Sequence, residues 1–457
     1  MSTPDPPEKL RWAVLIVACL ALSGQYYAYD IPSAINDQLQ ARFTSGGGGM
    51  TVEEYTYYFN LLYTVYALPN MITPLILGVS IEWIGMRSML LLLAVLLLLG
   101  QVLQCVGSYY LSMRTMLLGR VIYGLGGESM NVAQTTLLAG WFRGQEIAFA
   151  LGLNLSVARF GSVLNDLLSP GVEARYGVTG AFIAGLIAVT STVILTLVLC
   201  YFTKHIDDDI TSEEAPSQGF IENCVLAYAV ILPFNNIAAA FFVEVWYPTM
   251  DKAAAHVKVG QIMGILFGVS ALGSPIAGIC IDKLGYRLYF LLASFTMATL
   301  AHIILPILHP VISMTVLGLS YTVFASAVWP LVAAAVPPRK TGAAYGVTTA
   351  AQNFGLAVTP VIVAHIRSST GSYVAVEKFF FFIGTASIGV GILLWMRDSR
   401  SGGMLNSPVR SRGTEPLDPK LPIVGSSIET GPGSEEESTQ EMSEDDRLLF
   451  NEHIVDG

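Results

Sequence analysis

Apolar runs of about 20 residues recur along this chain from Trp12 to Arg397, and they leave few folds open. Coiled as an α-helix, a run of that length matches the hydrocarbon thickness of a bilayer. Lipid offers no partner for backbone polar groups, so a chain with many such runs folds as a helical bundle. Twelve spans are expected, near residues 12–38, 55–81, 88–111, 114–140, 146–173, 179–204, 220–248, 258–282, 287–308, 311–336, 342–366 and 376–397. The composition agrees: 53% of the residues are hydrophobic and only 13% are charged, about half the charged share of a soluble domain.

The chain also repeats its punctuation. Gly78, Glu82, Gly85 and Arg87 follow one apolar run, and Gly278, Asp282, Gly285 and Arg287 follow another at an offset of 200. A second pattern, Gly152 with Gly161, returns as Gly346 with Gly355 at an offset of 194. Two patterns at nearly equal offsets imply two copies of a six-helix unit in the same order. Membrane proteins built so rock two half-bundles about a central cavity. The expected division is an N-terminal segment 1–11, a first six-helix bundle 12–204, a polar linker 205–219, a second bundle 220–397, and a disordered acidic tail 398–457. The tail holds −8 of the net charge of −10, so the acidity says nothing about a ligand.

An even number of spans puts both termini on one side. Lys9, Arg11, Arg397 and Arg400 flank the ends and favour the cytosol. The first run is too long for a signal-peptide core and has no obvious cleavage site, so it is expected to stay in the membrane. Cys19, Cys105, Cys200, Cys224 and Cys280 all lie in apolar runs and read as small buried hydrophobes, not a disulfide or metal framework. Gly46–Gly49 reads as a loop tip, since no strand or Lys-Ser/Thr gives it a phosphate-binding context. No nucleophile elbow, Walker loop or zinc spacing suggests an enzyme or a cofactor, and no basic stripe with interleaved aromatics suggests nucleic acid.

A charge at mid-membrane costs roughly 2.5–3.5 kcal/mol on translocon scales, so such a residue needs a partner or a role. The bases well inside the spans are Arg120 and Arg159; the acids similarly placed are Asp30, Glu128, Asp166 and Glu244. The fourth and fifth spans are joined by the short turn Trp141-Phe142-Arg143-Gly144 and are antiparallel neighbours. Glu128 lies about 14 residues before that turn and Arg159 about 15 after it, so both sit roughly 20 Å from it. An acid and a base at one depth can hold the amine and carboxylate of a zwitterion, and an arginine fork suits the carboxylate. A dipeptide spans at most about 7 Å between its ends, within reach of two such side chains. The alternative is a structural pair that neutralises itself. The position matching Arg159 in the second copy is Asn353, so one charge breaks the pseudo-symmetry, as a substrate with unlike ends requires.

These residues resemble the major facilitator superfamily. GVSIEWIGMR (78–87) and GICIDKLGYR (278–287) are similar to its signature turns, and Arg120-x-x-x-Gly124-x-Gly126 to its fourth-helix motif. Trp83 stands where a basic residue is usual, and Glu82 replaces the commoner Asp. Longer strings, GRVIYGLGGESMNVAQ, LSVARFGS, SYTVFASAVWPLVAAAVP and AAYGVTTAAQNFGLA, resemble a branch that exports dipeptides from lysosomes. The similarity runs from about residue 12 to 397.

The resemblance implies an all-α membrane fold of twelve helices in two pseudo-symmetric six-helix bundles. It implies that Glu128 and Arg159 hold the peptide termini, with Asp30 near the amine. By analogy with the fold, Tyr29, Tyr63, Tyr66 and Trp329 line the cavity, and Gln352 and Asn353 are placed to bond a peptide amide. Arg120 takes part in coupling in proton-coupled relatives; a packing role with the guanidinium on a carbonyl is the other reading. The two signature turns read as latches whose acid and arginine pair across the halves in one state.

In the tail, Glu444, Leu448 and Leu449 fit an acidic dileucine sorting signal of the kind clathrin adaptors read. The one Asn-x-Ser/Thr sequon, Asn154-Leu155-Ser156, falls inside the fifth span and is expected to stay unmodified. The resembling branch protects its lumenal face with a glycosylated lysosomal membrane protein, so a similar accessory subunit is expected. The expectation is a lysosomal carrier that exports dipeptides by alternating access, as a uniporter. A carrier of organic anions, sugars or drugs, with or without proton coupling, and a non-transporting receptor or scaffold stay open at this point.

Overall fold

The structure is a computed structural model that describes residues 8–45, 49–142, 146–204, 241–337 and 340–400, with Phe234, Ala238, Gly402, Gly403, Leu405 and Asn406. Helices account for nearly all of it: α1 Glu8–Ala34, α2 Asn36–Thr44, α3 Val52–Asn70, α4 Thr73–Ile84, α5 Met86–Tyr109, α6 Met113–Trp141, α7 Ile147–Phe202, α8 Lys252–Leu284, α9 Arg287–Ile304, α10 Pro310–Ala335, α11 Thr341–Thr370 and α12 Tyr373–Arg400. The expected spans other than the seventh fall on these helices, the second divided between α3 and α4 and the fifth and sixth both within α7. Most of the seventh, with the linker and the residues Glu444, Leu448 and Leu449, lies outside the described residues. Among the described residues eight helices are long and apolar enough to cross a bilayer, or nine if the bent pair α3–α4 is one span.

Three boundaries differ from the expectation, each for a local reason. The first span ends at Ala34 and hands over to the short α2. The fifth and sixth spans form one helix of 56 residues, Ile147–Phe202, interrupted at Gly177, whose φ of 73° and ψ of 175° are not helical. At 1.5 Å per residue it is about 84 Å long, far beyond one bilayer, so it is two spans meeting at that glycine. The second span is bent by 42° between α3 and α4. Pro74, early in α4, has no N–H to offer the carbonyl of Asn70 four residues back. The side chains of Asn70 and Thr73 take the carbonyls of Tyr66 and Pro69 at 3.0 and 2.9 Å.

Helices α1–α7 pack among themselves, chiefly α1 on α7 and α5 on α6; α8 on α10 and α9 on α10 and α12 form the second set. The sets meet along two related seams, α4 on α11 and α7 on α8. The repeated glycines make these seams. A Cβ on Gly78 would meet the Gly342 carbonyl at 2.5 Å, and one on Gly346 would strike the Pro74 carbonyl. In the other seam a Cβ on Gly278 would meet the Ala148 carbonyl at 2.5 Å, and one on Gly152 the Ser274 carbonyl at 2.7 Å. Small residues let helix backbones approach this closely where lipid supplies no drive for association. The seams run toward the Gly-acid-Gly-Arg turns, and this end of the molecule is here named the turn side.

Cys19 and Cys105 are buried and Cys200 half-buried, but Cys280 is exposed on α8. The expectation of an interior residue fails there because this face of α8 points away from the bundle. Cys224 lies outside the described residues.

Gly78→Leu and Gly278→Leu should each wedge a seam apart, at a cost of about 1–3 kcal/mol. Gly264 has open space around its Cβ position, so Gly264→Leu should shift the thermal midpoint of the full chain far less. Equal midpoints for all three would contradict the seam assignment.

Candidate substrate site

The site begins with α1 fastened to α6. Gln25 Nε2 donates to the Gly127 carbonyl at 2.8 Å, and the Tyr123 hydroxyl donates to the Gln25 carbonyl at 2.7 Å. Gly124 and Gly127 then let α3 in: a Cβ on Gly124 would meet the Tyr66 carbonyl at 2.8 Å, and one on Gly127 would overlap the Tyr66 phenol. The result is a tyrosine cluster. Tyr29 stands 5.8 Å from Tyr63 and 4.5 Å from Tyr66 between ring centroids.

Arg120 plugs this cluster. It is fully buried, its Nη2 donates to the Tyr29 carbonyl at 2.7 Å, and its guanidinium lies 4.8, 5.1 and 5.9 Å from the rings of Tyr29, Tyr63 and Tyr66. No carboxylate pairs with it among the described residues. Cation–π contacts without a salt bridge suit a desolvated cation.

Glu128 is half-buried one layer further along α6. Its carboxylate lies against Asn131 and within electrostatic reach of Tyr26, Tyr29 and Tyr66. Arg159, on α7, is half-buried as well. Its Nη1 donates to Ser270 Oγ of α8, its guanidinium sits 4.4 Å over the Tyr321 ring of α10, and its buried Nη2 has no hydrogen-bond partner among the described residues. Tyr26 lies within electrostatic reach of both charges. Glu128 lies 13 residues before the end of α6 and Arg159 12 after the start of α7, a similar depth of about 18–20 Å, and the two do not form an ion pair with each other. Asp30 lies beside Ser162, with Arg120 and Asp166 nearby.

The remaining expected residues divide. Asn353 Nδ2 donates to the Asn70 carbonyl at 2.8 Å, filling the position that Pro74 leaves without a donor. Its amide is thus committed to a bond between the sets. Gln352 is half-buried on the same helix. Trp329 packs on Tyr345 at 5.5 Å, and its carbonyl accepts the Tyr345 hydroxyl at 2.9 Å. Glu244 pairs with Arg367 at 2.7 Å on an exposed surface.

The signature turns are alike in sequence and unlike in contact. Gly85 and Gly285 both adopt positive φ, 83° and 69°, which a side chain would resist. Asp282 accepts the backbone N–H groups of Ala148 and Phe149 at 3.0 and 2.8 Å, capping the first turn of α7 from the other set. Glu82 is exposed and has no partner among the described residues. The expected pairing of acid with arginine across the halves is thus corrected on the second copy. A helix start with free N–H groups draws the carboxylate more directly than a guanidinium does. Arg287 stays within electrostatic reach of Asp282 in its own set, and the Arg87 carbonyl lies 3.7 Å from Cys200 Sγ.

Sequence reasoning missed Tyr26, Ser270, Tyr321 and the Asn70 carbonyl. Tyr26 was in view, in the run that ends in Tyr29 and Asp30. Ser270 and Asn70 lie 200 residues apart, the offset of the signature turns, and extending that offset along the helices would have matched them. It also missed Glu377. The helix starts at Tyr373, which brings Glu377 a turn inside, where Glu377 Oε2 meets His302 Nδ1 at 2.9 Å with side-chain exposures of 3% and 0%.

Residues 13–360 and 234–430 match the sequence profile of the Major Facilitator Superfamily. The chain belongs to that superfamily. A Bos taurus protein named lysosomal dipeptide transporter MFSD1 is 31% identical over 432 residues, covering 88% of this chain and 89% of the relative. Its Homo sapiens counterpart is 30% identical over 438 residues, covering 89% and 90%. Among solved structures, the transporter FucP in the outward conformation superposes with a TM-score of 0.66 at 12% identity, over 84% of this chain and 99% of that one. The human organic anion transporter MFSD10 superposes with 0.64 at 12% identity, over 84% and 100%. At those identities the likeness concerns the fold alone. As a superfamily member the chain is a membrane transporter and not an enzyme, with the all-α fold of two pseudo-symmetric bundles.

Removing one member of the buried His302–Glu377 pair should cost this superfamily chain about 3–5 kcal/mol. Replacing both by Leu should recover most of that, because no polar group is then stranded. Thermal midpoints of Glu377→Leu, His302→Leu and the double variant check it; additive losses would contradict it.

Proposed function

We propose that this chain is a lysosomal membrane carrier that moves dipeptides from lumen to cytosol by alternating access, as a uniporter. One observation carries the reading. Glu128 and Arg159, opposite in sign and similar in depth, are half-buried without pairing with each other, so each is available to one pole of a zwitterion. The relatives named as lysosomal dipeptide transporters support both the cargo and the address. Asp30, Tyr29, Tyr63, Tyr66, Trp329 and Gln352 then form the polar and aromatic walls. Asn353, with Gly78, Glu82, Gly85, Arg87, Gly278, Asp282, Gly285 and Arg287, belongs to the moving contacts between bundles 12–204 and 220–397.

The turn side is the cytosolic side in this reading, together with both termini, the linker 205–219 and the tail 398–457. Among the described residues, the hydrogen bonds and glycine approaches that join the bundles lie at the depth of Arg159 or nearer the turns. That distribution supports a state shut toward the cytosol and accessible from the lumen. Asn154 is buried at 2% exposure inside α7, which supports a chain without a glycan there and hence a glycosylated accessory subunit. Glu444, Leu448 and Leu449 would serve clathrin adaptors in sorting.

In liposomes, the full chain should take up a labelled dipeptide at a rate indifferent to an imposed pH gradient. Arg159→Ala and Glu128→Gln should each lower uptake roughly tenfold or more, the order expected for a hydrogen bond to a charged group. Parental uptake by Arg159→Ala would sink the dipeptide reading. Uptake that follows the gradient would replace the uniporter by a proton-coupled carrier.

A further inference from the structure

The two bonds between the sets are related by the internal repeat. Arg159 and Asn353 occupy matching places at the offset of 194, and Asn70 and Ser270 at the offset of 200. Arg159 bonds Ser270, and Asn353 bonds Asn70. Counted from the turn-side ends of their helices, Arg159, Asn353 and Ser270 lie about 18–21 Å deep, and Asn70 ends α3 at the bend into α4. The pair is symmetric in position and asymmetric in chemistry. On one side a neutral amide meets a backbone carbonyl freed by Pro74. On the other a guanidinium meets a hydroxyl, lies 4.4 Å over the Tyr321 ring, and keeps a buried Nη2 with no partner among the described residues.

A guanidinium has five N–H donors in a rigid fork. Fixing Nη1 on Ser270 and the face on Tyr321 fixes the direction in which Nη2 points. Both supports come from the C-terminal set, whereas Arg159 belongs to the N-terminal set. We propose that Ser270 and Tyr321 are positioning residues for Arg159, which hold its free edge for the carboxylate end of a dipeptide. This inference rests on the dipeptide reading above. The grip on the carboxylate is then assembled from both bundles and exists while the turn side is shut. When the seams part on that side, Arg159 loses both supports, and its hold on the carboxylate weakens where the cargo is to leave. Holding a flexible cationic side chain in its binding geometry is a preorganisation effect, so its loss should appear in affinity for the carboxylate.

The test compares dialanine with dialanine amide, which lacks the terminal charge, on the purified full chain. Thermal stabilisation across a concentration series gives the two apparent affinities and their ratio. The parent should prefer dialanine. Ser270→Ala and Tyr321→Leu should shrink that preference roughly tenfold, the order expected when a charged group loses a hydrogen bond, while Ser270→Thr, which keeps the hydroxyl, should restore it. Asn353→Ala should weaken both ligands alike, because its bond joins the bundles without touching Arg159. If the parent prefers dialanine and Ser270→Ala retains the full preference, the positioning role is overturned and the dipeptide reading stands. If the parent does not distinguish the two ligands, both fall.

Discussion

A guanidinium midway through an apolar bundle has to be held, and the way Arg159 is held organises the rest of this molecule. Among the described residues it has no carboxylate to neutralise it. It reaches from α7 to a hydroxyl on α8 and a ring on α10, so its contacts lie on the far side of the seam between bundles. That geometry exists because the seam closes tightly below it. Glycines at 78, 152, 278 and 346 bring backbones together where a side chain would keep them apart. Asp282 then anchors the closed end on the first N–H groups of α7. The same contacts that shut one side of the molecule thus present Arg159 to its middle.

Charge is handled differently at each buried position. Arg120 is enclosed by three rings and a carbonyl at the crossing of α1, α3 and α6, with Nε and Nη1 unpartnered among the described residues. His302 Nδ1 and Glu377 Oε2 meet inside the second bundle, with Nε2 and Oε1 left without partners among the described residues. Glu128 and Arg159 differ from these three in being partly exposed and not paired with each other. Desolvated charges without mutual neutralisation are costly in a membrane protein and tend to mark the path of a solute. The proposed dipeptide site follows from that contrast more than from any single residue.

The helical layout was legible because spanning helices write themselves into long apolar runs, and the doubling because glycines at close crossings cannot drift. The depth match of Glu128 and Arg159 was legible too, since one short turn joins their helices. What the sequence concealed was direction. Nothing in the residues around Asn353 says that its amide crosses to the Asn70 carbonyl; that depends on the missing N–H of Pro74 on a different helix. Ser270 and Tyr321 look like ordinary helix residues until the seam places them against Arg159. Glu377 was hidden by a helix start misplaced by a few residues. The two signature turns, nearly identical as text, differ because only Asp282 finds a helix start opposite it.

These contacts also give alternating access a physical content. A carrier of this fold needs bonds that exist in one state and not in the other. The bonds from Arg159 and Asn353 and the cap from Asp282 all join the two bundles, and all lie at the depth of Arg159 or nearer the turns. In the proposed account the cargo's carboxylate meets an arginine whose orientation depends on that closure.

The central claim is that one zwitterion bridges Glu128 and Arg159, and an experimental structure of the full chain with a dipeptide bound tests it most directly. The account predicts the peptide carboxylate within hydrogen-bond distance of Arg159 and the amine beside Glu128, with Ser270 and Tyr321 still against the guanidinium while the turn side is shut. A peptide lodged elsewhere, or lying the other way round, or an Arg159 that turns to Glu128 when the peptide is bound, would contradict it.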